Sequence, residues 1–404
     1  MGSASMKISG LKGRSAMPCR VMSFSICAPH SSPITILFQY FNYSPLPLNS
    51  ESESIMTDMK TLLERLSNAH GVSGYEGNVR QIIEEEVKPY VDEIKTDRMG
   101  NLIATKNGSS PIVMLAAHMD EIGLMIKYVD DKGFARFTKT GGWFDQTLLN
   151  QRMILHTENG PIYGVLGSKP PHAMKEEDKN KVVKADDMFI DFGATSNDEA
   201  DKLGVKAGTP ATSDIDFKSL GNDRVTGKAF DNRAGCVMLI DALRQMKDVK
   251  ATVHAVFTVQ EEVGLKGAKT SAFRLNPDVA LATDVTITGD HPGIDKKDSS
   301  IEMGKGPSIT VSDADGRGII VPEPVLKWLK EAAGANNIPY QLEVGSGGTT
   351  DASAIHLTKE GIPTGVISMP TRYIHTPVSV LSMSDLEKSA ELIARALEIV
   401  DKFF

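Results

Sequence analysis

The stretch "SPIVMLAAHMD" carries an unbroken apolar run from Pro111 to Ala117 that ends on His118, Met119 and Asp120. An apolar strand without polar alternation has to be covered on both faces, which places it inside a sheet with helices above and below. Two helices are expected ahead of it. Leu62, Leu63 and Leu66 recur at helical spacing, and Val79, Ile82, Ile83 and Val87 do so again before Pro89 stops the run. "NLIATKNG" reads as a further strand.

From about Gly123 the pattern changes to short alternating strands separated by glycine turns, as in "GLMIKYVDDKGFARFTKTGG" and "RMILHTENGPIYGVLGS". Helix and strand alternation resumes at Phe230. "AGCVMLIDALRQM" is helical, "TVHAVFTVQ", "DVALATDV" and "GIPTGVISMP" are strands, and "VPEPVLKWLKEAAGANNI" is a helix. "SDLEKSAELIARALEIVDKFF" closes the chain as an amphipathic helix with Ser384 as its expected N-cap. The expected fold is therefore α/β: a sandwich of helices on both faces of a mixed sheet, formed by residues 56–122 and 223–404, with a small β-rich domain inserted at 123–222. Residues 1–55 are set apart. The first 50 contain no Asp or Glu and are rich in Ser and Pro, which suits a targeting segment or a start assigned too far upstream, the latter being preferred because the regular pattern opens at Met56.

A formal charge of -8 and the lack of a Lys/Arg stripe argue against nucleic acid as a partner. No apolar run reaches the roughly 20 residues of a membrane-spanning helix. Cys19, Cys27 and Cys236 fit neither a zinc ribbon nor a disulfide framework, which points to a reducing cytoplasm.

Five motifs follow strand ends or lie between elements: "AHMDEIG", "AFDNRAG", "VQEEVGLKG", "ATDVT" and "RYIHTP". Ligands of open α/β sheets collect beyond strand ends. The motifs deliver His118, Asp231, Glu261, Glu262, Asp284 and His375 to that region. Like charges about 4 Å apart repel by roughly 4 kcal/mol at an effective dielectric of 20, so four carboxylates there call for cations, and two divalent ions balance them. Imidazole and carboxylate donors without thiolate suit Zn²⁺, Co²⁺ or Mn²⁺. Taken singly each residue has a plainer role: Asp231 as a helix cap, Asp284 in an Asx-turn, His375 before the Pro377 turn, the two glutamates as a solvated helix start.

Taken in order, the set resembles the co-catalytic metallo-aminopeptidases of the glutamyl aminopeptidase type, which include the tetrahedral (TET) aminopeptidases, over residues 56–404. The resemblance implies a metal-dependent aminopeptidase with two divalent ions per subunit, zinc before cobalt or manganese. It assigns Asp231 as the bridging ligand, Glu262 and His375 to one ion, His118 and Asp284 to the other, Glu261 as general base and Asp120 as the carboxylate orienting His118. It also implies a cis peptide between Asp231 and Asn232. The inserted domain would be a PDZ-like or barrel dimerisation module, and dimers would assemble into a dodecamer. Substrates would be peptides with a free N-terminus.

His291, in "GDHPG", is expected to border the substrate pocket. His70, His156, His172, His254 and His356 are expected to be non-ligands, and Trp143 an exposed contact of the inserted domain. "VGSGGTTDASAIH" lacks the lysine of a phosphate loop and reads as a tight turn near the site. Three rival functions remain: a related dinuclear carboxypeptidase or N-deacylase, with Arg372 to hold a substrate carboxylate; a glycoside hydrolase of endoglucanase type, using paired carboxylates without metal; and a binding protein that keeps metals only for folding.

Overall fold

The computed structural model describes residues 58–404, apart from the side chain of Asp178, and only the backbone of residues 50–57 and of two paired strands, Ser23–Ser25 and Thr35–Leu37. Those strands fall in a unit, Met1–Ser50, separate from Glu51–Phe404. Beyond these backbone elements, the expectation for residues 1–55 lies outside the described residues.

Helices α1 (Ser50–Asn68) and α2 (Gly77–Val87) precede strands β1 (Glu93–Thr96), β2 (Leu102–Lys106) and β3 (Ser109–His118). Strand β3 holds the apolar run and lies between two parallel neighbours introduced below. Val113, Leu115 and Ala117 face one core and Met114 and Ala116 another. This two-sided burial is why the run lacks polar alternation, and the fully buried Leu115 in it is worth about 1.5–3 kcal/mol. His118 follows the parity of Met114 and Ala116 and so leaves the sheet on their face.

Six strands then close into a barrel: β4 (Gly123–Val129), β5 (Ala135–Thr140), β6 (Arg152–Thr157), β7 (Gly160–Gly167), β8 (Phe189–Asp191) and, after helix α3 (Asn197–Leu203), β9 (Pro210–Ser213), in the order β8-β5-β4-β9-β6-β7. Trp143 belongs to the barrel core. It is 5% exposed, and its Nε1 donates to the Gly123 carbonyl at 2.9 Å. The expected exposed contact is thus corrected: the glycines before it let the chain turn the indole inward, where its N–H finds a backbone acceptor.

The large sheet resumes with β10 (Lys218–Leu220) and β11 (Arg224–Gly227), so the return to it begins a few residues before 223. It continues through α4 (Phe230–Gln245), β12 (Ala251–Thr258), α5 (Lys266–Leu275), β13 (Val279–Ile287), β14 (Ser308–Ser312), α6 (Glu323–Ala335), β15 (Gln341–Val344), α7 (Ala352–Ile355), β16 (Thr364–Arg372), β17 (Ser379–Ser382) and α8 (Met383–Leu397). Its path is β10-β11-β17-β16-β13-β3-β12-β2-β1, with β14 added beside β16 and β15 beside β14. The strands β12, β3, β13 and β16 run parallel, and so do β14 and β15, while the other pairs are antiparallel, giving a mixed sheet. Helix α8 is capped by Ser382, whose hydroxyl accepts from Asp385 N, rather than by the expected Ser384. Ser384 instead binds Asp223 through both its N–H and its hydroxyl.

Barrel and sheet meet at two buried polar clusters. Glu121 accepts from Lys228 Nζ at 2.8 Å on both oxygens and lies 3.4 Å from Arg233 Nη2. Burial raises its carboxyl, but the two cations outweigh it and hold the group below the usual range. Beside it, His70 Nδ1 and His156 Nε2 each lie 2.8 Å from the Thr212 hydroxyl, with ring centroids 4.6 Å apart. One hydroxyl donates to one ring and accepts from the other, so the ring that accepts its proton has to be neutral. Burial, with nearby Lys228, pushes His70 down to about 4, and burial also lowers His156. Between pH 6.5 and about 4 the unfolded chain binds a proton that native His70 resists, so stability falls as pH falls through that window. The Tm should drop between pH 7 and 4.5, and His70→Gln should flatten the drop. Equal drops in both proteins would show that the junction does not carry the effect.

Candidate active site

The ends of the parallel strands converge on Asp231. His118 ends β3, Asp284 lies on β13, Glu261 and Glu262 follow β12, and His375 follows β16. Asp231 stands at the start of α4, joined to Asn232 by a cis peptide bond. His118 Nε2 is 3.0 Å from Asp231 Oδ1, and His375 Nε2 is 3.4 Å from Asp231 Oδ2. The two imidazoles therefore meet opposite oxygens of one carboxylate. His118 Nε2 also lies 4.0 Å from Asp284 Oδ1 and 3.9 Å from Glu261 Oε2, while His375 Nε2 is 3.8 Å from Glu262 Oε2. The adjacent glutamates thus reach different partners, Glu261 towards His118 and Glu262 towards His375.

Two carboxylates, Asp120 of the first strand-end motif and Glu76 from outside the motifs, hold the Glu261–Glu262 turn. Gln260, at φ 56°, donates its N–H to Glu76 Oε1 at 3.2 Å. The next two N–H groups bind Asp120: Glu261 N to Oδ1 at 3.0 Å and Glu262 N to Oδ2 at 3.2 Å. Three successive amides aimed at buried carboxylates fix this turn. Asp120 accepts further from Ser73 Oγ at 2.6 Å, and its backbone oxygen lies 3.1 Å from His118 Nδ1. It therefore orders both the imidazole and the glutamate turn. Ser73 and Glu76 lie within the "GVSGYEG" turn, whose polar residues so close to a helix are the only local sign of such a role.

The cluster is short of positive charge. Burial and Asp231 push Glu262 up to about 8, and burial and Asp231 do the same to Asp284. Burial also raises Glu261 well above the usual carboxylate range. Asp231 goes the other way: burial raises it, but hydrogen bonds from His118 and His375 outweigh burial and depress it. His375 rises to about 9 through its bond to Asp231. Carboxylates that pull protons onto imidazoles would be better served by cations of higher charge. His118, Asp231 and Asp284 can offer one ligand atom each, all within 4.8 Å of one another, and so can Asp231, Glu262 and His375. The Oε1 of Glu262 is buried without a partner. Imidazole and carboxylate donors in two such sets suit a pair of borderline divalent ions.

Other candidates fall elsewhere. His291 packs beside Tyr373, with ring centroids 5.5 Å apart. Arg372 is engaged by Asp290, with Nη2 to Oδ2 at 2.6 Å, and its side chain is 14% exposed. That cation is already neutralised, which counts against a role in holding a substrate carboxylate. His70 and His156 make the junction pair, and His254 Nδ1 sits 2.9 Å from Thr105 Oγ1. From the barrel, Gly141 and Gly142 reach the site: a Cβ at 142 would lie 2.6 Å from His375 Nδ1, and one at 141, where φ is 83°, 2.8 Å from Glu262 Oε2. Only glycine allows this approach.

The model of the M42 glutamyl aminopeptidase family matches residues 100–392. A chain of Acetivibrio thermocellus is 45% identical over 340 residues, 84% of this chain and 98% of that one. An aminopeptidase from the archaeon Desulfurococcus kamchatkensis superposes with a TM-score of 0.82 at 43% identity, over 85% of this chain and 95% of that one. The TET1 peptidase of Pyrococcus horikoshii, which assembles into a tetrahedron or an octahedral shell, gives 0.75 at 36% identity over 83% and 98%.

Proposed function

The chain belongs to the M42 glutamyl aminopeptidase family and is an aminopeptidase, a hydrolase of peptide bonds, and on that premise we propose that it works with two divalent cations, zinc foremost, held around Asp231. His118 and Asp284 would hold one, Glu262 and His375 the other, and Asp231 both. The observation that carries this reading is the single Asp231 carboxylate met on its two oxygens by the two imidazoles. When bound, the cations supply Lewis acidity to the scissile carbonyl and lower the pKa of a water.

The remaining work falls to the chain itself. Glu261, outside both ligand sets, takes a proton from the attacking water and delivers it to the amine that leaves as the C–N bond breaks. Asp120 and Glu76 hold the Glu261 turn in place, and Asp120 keeps His118 in one orientation. Engagement of Arg372 by Asp290 favours peptides presenting a free N-terminus over substrates gripped by a C-terminal carboxylate. The protein would act in the cytoplasm as a homo-oligomer of dimers paired through the barrel, with a dodecamer as the expected particle.

A panel of aminoacyl chromogenic substrates, each also offered N-acetylated, tests the function. Free-amine substrates should be cleaved, acetylated ones spared, and a chelator should abolish cleavage until Zn²⁺ or Co²⁺ is restored. Cleavage that survives exhaustive chelation would defeat the metal reading, and faster cleavage of acetylated substrates would favour an N-deacylase.

A further inference from the structure

Two divalent cations would balance Asp231, Glu261, Glu262 and Asp284, yet another buried carboxylate stands in the same neighbourhood. Asp351, between the glycine-rich loop and α7, is 3% exposed. One of its oxygens, Oδ2, accepts a hydrogen bond from the Thr258 hydroxyl, while Oδ1 is buried and has no partner. Glu262 Oε1 is unpartnered too, but it belongs to a ligand set; outside the ligand sets, Asp120 is answered by two amides and the Ser73 hydroxyl, and Glu76 by the amides of Gly74 and Gln260. A native fold rarely leaves a buried acceptor empty without a purpose.

The placement of Asp351 indicates what that purpose is. Thr258 pairs in register with His118 on the adjacent parallel strand, so both side chains leave the sheet on one face. Asp351 is therefore hung beside His118. Its charge is felt by both Glu261 and Asp284, and it feels His118 in turn. The leftover demand is one acceptor oxygen and one negative charge, next to the base and one ligand set. A substrate amine supplies the match: a donor N–H and, when protonated, one positive charge.

We propose that Oδ1 of Asp351 receives the α-amino group of the first substrate residue, making Asp351 a substrate-binding residue that confines hydrolysis to the N-terminal peptide bond. This rests on the aminopeptidase reading and deepens it, by assigning the selection of a free amine to a particular oxygen. An acylated or absent amine leaves that oxygen unmet, which is a penalty rather than a mere loss of attraction.

Leucine hydroxamate and its des-amino counterpart, 4-methylpentanohydroxamate, test the assignment on the zinc-loaded full chain, because both carry the same metal-binding group and differ only in the amine. Wild type should bind the amine-bearing compound more tightly. Asp351→Asn should cut that preference by at least ~10-fold while the Ki of the des-amino compound and the bound metal stay unchanged. An unaltered preference, or a parallel rise of both Ki values, overturns the proposal. Should Asp351→Asn fail to fold, Thr258→Val decides: it keeps the charge but frees the carboxylate, and the preference should again fall; if it does not, the assignment is wrong. A wild type that shows no preference for the amine and cleaves acetylated substrates equally well would instead refute the aminopeptidase reading itself.

Discussion

Glu261→Gln should lower kcat by about 10³-fold, within the 10²- to 10⁴-fold range of general acid–base groups, while leaving bound metal and the thermal unfolding profile unchanged. The expectation follows from position. Glu261 belongs to neither ligand set, so its loss removes no metal donor. Its backbone N–H stays bound to Asp120 whatever the side chain, so the turn keeps its shape and Glu262 its place. What the amide lacks is the ability to take a proton from water and return it to the amine. A kcat within tenfold of wild type would assign the base elsewhere. Loss of metal from the variant would make Glu261 a ligand.

Asp231→Ala should be more damaging still, reducing activity to background and emptying both sites. It is the only residue common to the two ligand sets, and it draws His118 and His375 together across more than 250 positions of chain. His375→Ala, by contrast, removes a donor from one set alone and should leave one ion per chain. Elemental analysis after dialysis measures both outcomes. Two ions retained by Asp231→Ala would show that the carboxylate is not shared, and equal losses in both variants would show that the two sites do not fill independently.

Much of the architecture was legible because it rests on local periodicity. The run before His118 announced a strand covered on both faces, and the covering clusters lie on either side of it. The change to alternating strands after Gly123 announced a β-rich stretch, and a closed six-stranded barrel stands there. Edge strands β14 and β15 were not legible: "SITVS" and "QLEV" are short, and their pairing depends on neighbours far along the chain. Trp143 and Ser384 failed for a related reason. A tryptophan after two glycines and before a phenylalanine, or one serine among several before a helix, has no local signal for which way it turns, and the deciding partners, the Gly123 carbonyl and Asp223, come from elsewhere.

From the sequence alone came the element types, the strand-end placement of the polar motifs and the donor chemistry, because these depend on residue type and on spacings of two and 3.6. Only the tertiary structure decided how the carboxylates are divided. Glu121, one residue from Asp120, turns away to Lys228 and Arg233; Asp120 and Glu76 hold the glutamate turn; and Asp351 comes in from the far end of the chain beside His118. Every one of these is an acidic side chain of nearly the same intrinsic affinity for protons and cations. What separates them is which donors lie within about 3 Å, and that is set by long-range packing that no local pattern encodes.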